Sequence, residues 1–407
     1  MYLTGLTHRD ELFNLTNRWL NDDIHEGDGR ILSEIFLYEG FVSGFFVIPR
    51  MMEFLRNLFG PDLEMNRIRQ KYFLRMRLIQ HMTNPTERAH ALAQSFLENP
   101  EFFFPRLPVD AVMISTPDKR LISIGRIKRL SRLAEKVSYR LMDALFKDIK
   151  TEAEAYAEKR ATLAGLPLQS FISSPEVMEQ DFMDAEMAIA AKFREKSMQF
   201  QHEDFTINDV LGFKIVVDPG ETDKILDGLE KEPGFEIKEV QAHTGNYNAV
   251  NLSIDLKLPD PLEWTRHLAN LDWSIAARRG LDPEVARRGF PDYLARGAST
   301  LRTEIILTTY PELMESEFGR SLHELRVLRL RDQVPYRGLI GQNAGYLIEY
   351  LLTLAISPVV ETSFLPIKIY GRYLPETIQG LKSSLFGKDT EGSLLNAFSH
   401  ILEEVNP

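Results

Sequence analysis

Four short runs after residue 205 do most to limit what this chain can become: "DVLGFKIVVD", "GFEIKEV", "YNAVNLSIDLKL" and "TEIILTTY". Each is short and rich in β-branched or alternating apolar residues, the signature of a strand rather than a helix. In the third run Val250, Leu252, Ile254 and Leu256 alternate with polar partners, which predicts a half-buried strand. Strands with an apolar face must pair, so the centre of the chain is expected to build a sheet. Two carboxylates stand awkwardly in it. Asp209 opens the first run and Glu304 opens the fourth, among neighbours where a charge is expensive to bury.

The flanking regions read differently. "HRDELFNLTNRWLND", "PTERAHALAQSFLENP" and "RLSRLAEKVSYRLMDALFKDIKTEAEAYAEKRATLAGLP" repeat apolar residues every three or four positions, which predicts amphipathic helices. "SSPEVMEQDFMDAEM" begins another, with a Ser-Pro pair suited to a cap and first turn. A second arginine-rich helical stretch interrupts the strands, and Pro311 opens a helix after the fourth that is expected to run to about Arg331. The expectation is an α+β protein in three parts. These are a helical region over 1–180, a mixed core over 181–335 with a helical insertion at 259–299, and a helical tail over 336–407.

Composition narrows the chemistry. The chain has 407 residues and no cysteine, so disulfides, thiolate metal sites and cysteine nucleophiles are excluded. A net charge of −11 leaves no global footprint for DNA. The N-terminus lacks a basic segment followed by an apolar run, and the apolar stretches "FVSGFFVIP" and "YLIEYLLTLAISPVV" read as too short or interrupted to span a membrane. A cytoplasmic protein with no membrane partner is expected. GxxxxGK[ST], GxGxxG after a strand, HExxH and GxSxG are all missing.

Two acidic residues at strand ends facing one cleft can hold a divalent cation such as Mg²⁺. The plainer reading is that Asp209 caps its strand while Glu304 points to solvent. Lys192, Arg194 and Lys196 in "AKFREKSMQ" suit a triphosphate or, equally, a solvated helix face. Tyr247 could stack on a base or pack within the sheet. Arg278, Arg279, Arg287 and Arg288 are basic enough to meet phosphates, and "RIKRLSRLAEK" reads as an amphipathic helix with a charged face.

Taken in this order, the pieces resemble the synthetase domain of the RelA/SpoT family over roughly residues 190–330. "DVLGFKIVV" follows that family's D-x-x-[AG]-x-R-[IV] strand with Lys214 for arginine. "GNYNAVN" matches its tyrosine as Tyr247, and "EIILTT" begins at its glutamate, Glu304. Glu317, Gly319 and His323 fall at the family's offsets in the following helix. Ile306, Thr308 and Asn251 stand where the family has glutamine, arginine and histidine. The resemblance implies a nucleotidyltransferase-like mixed sheet that moves pyrophosphate from ATP to a GDP or GTP acceptor. It implies that Asp209 and Glu304 are catalytic and hold Mg²⁺, and that Tyr247, Lys214, Lys196, Asn251 and His323 bind substrate. A degenerate nucleotide-binding protein with the same fold is the alternative, and the helical regions are the surfaces left for a protein partner or a second copy. The family's His-Asp hydrolase motif is absent.

Overall fold

The structure, a computed structural model, describes residues 1–83, 85–171, 173–245, 248–260, 271–332 and 338–387. Its centre is a seven-stranded mixed sheet built from β2 (Glu64–Gln70), β3 (Pro108–Ser115), β4 (Leu121–Ile127), β6 (Leu211–Val216), β7 (Phe235–His243), β8 (Ala249–Lys257) and β9 (Thr300–Thr308). The spatial order is β2-β3-β4-β6-β9-β8-β7. Neighbours run antiparallel except β6 and β9, which are parallel. A small parallel pair, β1 (Tyr2–Leu3) with β5 (Thr206–Ile207), ties the N-terminus to the approach of β6. The α+β class is as expected, and the four central runs are the four strands β6 to β9.

The three-part division needs correcting. Three strands of the sheet, β2 to β4, come from the region expected to be helical, so one sheet draws on both sides of residue 180. β2 shows no alternation because it is an edge strand with only Ile68 buried. β4 is buried continuously from Leu121 to Gly125, a run too short to separate from helix by periodicity. Arg126 therefore lies near the end of a strand, and the helix that follows, α6 (Leu130–Leu163), starts later than the sequence suggests.

The sheet has two unlike faces. Phe213, Ile215, Leu252, Ile254, Ile305 and Leu307 project into the main core, each at most 2% exposed. The helices α1 (Arg9–Leu20), α2 (Asp28–Val42), α3 (Ile48–Phe59) and α6 supply the other side of that core, with α7 (Pro175–Arg194) lying along α6. Burying each such side chain contributes on the order of 2 kcal/mol. The expected insertion belongs to the same core: α9 (Ser274–Ala277) and α10 (Pro283–Arg296) bury Ala276, Phe290 and Tyr293. So does α13 (Leu339–Leu354), which packs on α6; α8 (Thr222–Lys231) and α14 (Pro375–Ser384) add smaller apolar faces.

On the opposite face a second, smaller core covers only one end. It is made by α4 (Lys71–Gln80), α5 (Glu87–Glu98) and α11 (Tyr310–Phe318), and it buries Leu74, Phe96, Ile124, Val216, Leu313 and Phe318. Thr309 caps α11 by accepting from the Glu312 amide at 3.5 Å, with Pro311 in the first turn. The helix expected to reach Arg331 breaks at Gly319 and resumes as α12 (His323–Asp332). A side chain at Gly319 would run into the Glu315 carboxylate. The remainder of this sheet face is polar and open.

α2, the π-helical turn Ser43–Val47 and α3 run on as one 32-residue helix, Asp28–Phe59, long and apolar enough by length and composition to cross a membrane. Half of its most apolar window is buried inside the fold. The sequence understated this stretch because Pro49 and Arg50 fall inside the continuous helix.

Candidate functional site

Sheet register builds the site. On the polar face Arg126 of β4 lies opposite Gly212 of β6, which lies opposite Glu304 of β9, which lies opposite Ser253 of β8. The next row is Ile124, Lys214, Ile306 and Asn251. Glu304 thus occupies the middle of its strand, not the beginning, and alternation turns it away from the core that takes Thr303 and Ile305. Gly212 leaves it room: a Cβ at that position would lie 3.3 Å from Glu304 Oε2.

Asp209 sits two residues before β6, gripped by the segment joining β4 to α6. Lys128 Nζ lies 2.5 Å from Asp209 Oδ2, and Lys136 Nζ pairs with the same oxygen. Lys128 also donates its amide to Val210 O at 2.8 Å and its Nζ to the Asp209 carbonyl. Burial by itself would raise the Asp209 carboxyl, but the two lysines outweigh it and hold it at about 2. Glu304 is raised above the usual carboxylate range, first by burial and then by the charge of Asp209, with Lys128, Lys136 and Lys214 opposing. The two carboxylates therefore feel each other across one cleft and differ in proton affinity.

That cleft comprises two adjoining cavities of about 790 and 550 Å³, and both are lined by Arg132, Lys136, Asp209, Asn251 and Glu304. The larger extends past Tyr139, Asn208 and Gln241. The smaller is basic, with Arg126, Lys128, Arg129, Lys214, Arg326 and Arg331 on its walls. Asn251 adds a buried Oδ1 that has no hydrogen-bond donor among the described residues. His323 lies at the start of α12 on the wall of the smaller cavity.

Behind the cleft is a denser ionic cluster. Glu317 of α11 is fully buried and takes Lys71 at 2.8 Å and Arg126 at 2.6 Å. Lys71 also meets Glu324 at 2.9 Å, and Arg75 meets Glu324 at 3.1 Å while donating to the Glu317 carbonyl at 2.8 Å. Burial opposes the Glu317 charge, yet Arg126, Lys71 and Lys214 hold its carboxyl far below the usual range. Lys214 donates to Ser316 Oγ at 2.9 Å, and burial followed by the Arg126 and Lys71 charges brings its amine down to about 7, with Glu317 opposing.

Of the residues expected at a site, Asp209, Glu304, Lys214, Asn251 and His323 do converge on the cleft. Tyr247 lies outside the described residues. Lys196 is elsewhere: it follows the end of α7 in a left-handed conformation with φ 56° and faces Asp23 at 3.7 Å. Among the described residues, Arg278, Arg279, Arg287 and Arg288 of the insertion line neither cavity; Arg279 donates to the Ala355 carbonyl and Arg287 pairs with Glu284. Of the basic residues that line the cleft, Arg126, Lys128, Arg129, Arg132 and Lys136 come from the stretch expected to be one charged helix face. Their signal is spacing, because Arg132, Lys136 and Arg140 recur every four residues and so share one stripe of α6.

Asp209 and Glu304 line both cavities, with Asp143 and Glu239 also in the larger and Glu135 and Glu324 also in the smaller. Among the described residues no group of three His, Asp or Glu side chains gathers to hold a metal alone. Comparisons with protein families, curated proteins and solved structures find no match to this chain.

Proposed function

We propose that this chain is a Mg²⁺-dependent nucleotide pyrophosphokinase of the RelA/SpoT type with a nucleotidyltransferase-like core, acting on ATP and a guanine nucleotide in the cytoplasm. The observation that carries this reading is the pairing of Asp209 and Glu304 on the open face of the sheet, within a cleft walled by Arg126, Lys128, Arg132, Lys136 and Lys214. Phosphoryl-type transfer asks a protein for positioning and for charge to answer the phosphates, and this cleft has both. Oxygen-only ligands fit Mg²⁺, which binds through one or two carboxylates and takes the rest of its shell from phosphates and water. Burial first, and then repulsion from Asp209, raises Glu304, and the repulsion is what a divalent cation would relieve.

In the reaction the 3′-hydroxyl oxygen of the acceptor forms a bond to the β-phosphorus of ATP. The bond from that phosphorus to the α–β bridging oxygen breaks, and AMP leaves. Mg²⁺, when bound by Asp209 and Glu304, supplies charge neutralisation at the transferred phosphates. Glu304 has the raised proton affinity of a group that takes the hydroxyl proton, while Asp209 stays ionised. Arg126, Lys128 and Lys214 meet the phosphates, and Asn251 Oδ1 offers an acceptor to the nucleotide's donors.

A second reading, nucleotide binding without turnover, is favoured by two features. Lys128 and Lys136 already neutralise Asp209, and Ile306 and Thr308 bring no polar contact of the kind the family has there. Incubation with Mg²⁺, labelled ATP and GDP or GTP separates the two. A labelled 3′-diphosphate product that vanishes in Glu304→Ala supports the enzyme. Guanine-nucleotide binding by calorimetry with no product supports the binding protein. Neither product nor binding at millimolar ligand rejects both.

A further inference from the structure

Lys128 and Lys136 stand where a cation on Asp209 would. Lys128 Nζ lies 2.5 Å from Asp209 Oδ2, Lys136 Nζ takes the same oxygen, and Lys128 Nζ also donates to the Asp209 carbonyl. The two lysines have different supports. The Lys128 amide is tied to Val210 O at 2.8 Å, whereas Lys136 reaches across from the second turn of α6.

Two carboxylates, Asp209 and Glu304, and two ammonium groups sum to no net charge. A bare divalent cation therefore meets little attraction there, and its charge would face both lysines at close range. A polyphosphate arriving alone is no better placed, because lysines turned towards it would leave two carboxylates uncovered beside it. Arriving together, each supplies what the other displaces. The phosphates receive the lysines, and the cation receives the carboxylates.

The pair is able to let go. The side chains of Lys128 and Lys136 are 21% and 30% exposed, against 5% for Lys71 in the cluster around Glu317. A lysine carries a compact charge on a flexible stem, so it can turn from one anion to another with no planar fork to realign. Both lysines line the smaller cavity with Arg126, Arg132 and Lys214, the wall to which phosphates would be drawn. Taking Asp209 and Glu304 as the cation site of the proposed function, we propose that Lys128 and Lys136 hold the cation's place on Asp209 and exchange it for phosphate. The cleft then takes a divalent cation and a polyphosphate as a coupled pair and binds either one poorly alone. Such coupling is reciprocal, so phosphate must raise the affinity for the cation by the same factor as the cation raises that for phosphate.

The test titrates the full chain with Mn²⁺, reading the free ion by electron paramagnetic resonance, with and without inorganic phosphate and against protein-free blanks. The wild type should bind Mn²⁺ about tenfold more tightly when phosphate is present. Lys136→Met should bind it tightly without phosphate and lose most of the phosphate response. Lys128→Met should change in the same direction, with thermal melting to check both folds. Adding Glu304→Gln to Lys136→Met should abolish the gain. Arg140→Met removes the same charge from the same stripe one turn further on, and it should behave as the wild type. A wild type indifferent to phosphate, lysine variants with no gain, or an equal gain in Arg140→Met overturns the inference and leaves the cation site standing. A gain that survives Glu304→Gln places the ion elsewhere and overturns it too. If none of the proteins binds Mn²⁺ at millimolar concentration, the cation site falls, and with it both the inference and the Mg²⁺-dependent reading.

Discussion

Two charged regions share the polar face of one sheet and are built on different terms. Around Glu317 the charges are closed on themselves: Lys71 and Arg126 occupy its two oxygens, and Lys71 and Arg75 take Glu324. Around Asp209 and Glu304 the charges are only partly closed, since Lys128 and Lys136 take Asp209 but leave Glu304 raised. Cations line a cleft, a carboxylate is raised, and Asn251 holds out an unanswered oxygen. A closed cluster joins α4, β4, α11 and α12 into one frame. An open cluster a row of residues away is what a ligand could complete. The difference teaches that burial of charge is not by itself a sign of function; what distinguishes a site is charge left incomplete.

The comparison breaks most visibly at Glu317. Glu317→Leu removes the buried carboxylate that Lys71 and Arg126 share, and urea unfolding should register a loss of about 3–5 kcal/mol. A loss below about 1 kcal/mol would mean that the cluster is not a frame. Glu304 should behave in the opposite way. Glu304→Gln removes a charge the fold disfavours, so stability should hold or rise slightly, while the proposed pyrophosphate transfer should fall by about a hundredfold or more. A variant that unfolds, or one that keeps its activity, would erase the distinction between the two regions.

Asp209 gives the next effect, and its sign follows from linkage. The folded carboxyl titrates at about 2 against a usual 3.8, so the fold prefers its charged form. That preference contributes about 2 kcal/mol above pH 4 and disappears as the pH falls through 2. The stability gap between the wild type and Asp209→Asn should therefore close between pH 5 and pH 2. Glu304, raised in the fold, works against this, because protonating it favours the folded state. A gap that is flat with pH would show the lysine pairs to be ineffective. The smallest effect belongs to Gly212→Ala, which presses a methyl against the Glu304 carboxylate. About 1 kcal/mol of stability should be lost, and transfer should fall more than stability does; equal losses would argue that Glu304 is not held for chemistry.

Much of this was legible in the sequence where a local pattern carried it. β6 to β9 follow from β-branched and alternating runs, and Glu304 announced itself as a charge within one of them. β2 to β4 were hidden because an edge strand does not alternate and a short buried strand has no period of its own. Lys128 and Lys136 were hidden for another reason: their partner, Asp209, lies more than seventy residues away, and a sequence records spacing along a helix but not what the stripe faces. Lys196 was chosen by its distance before Asp209 along the chain, which the turn after α7 makes irrelevant in space.

The parallel seam between β6 and β9 has one more consequence. Asp209 and Glu304 come from opposite sides of it, and the chain between them includes the β7–β8 hairpin, so neither flank owns the site before the seam is aligned. A slip of one residue along β9 would turn Glu304 into the packed interior and bring Ile305 out to water. The carboxylate that lines the cleft thus also guards the alignment of the sheet: only the correct pairing keeps it out of the packed core.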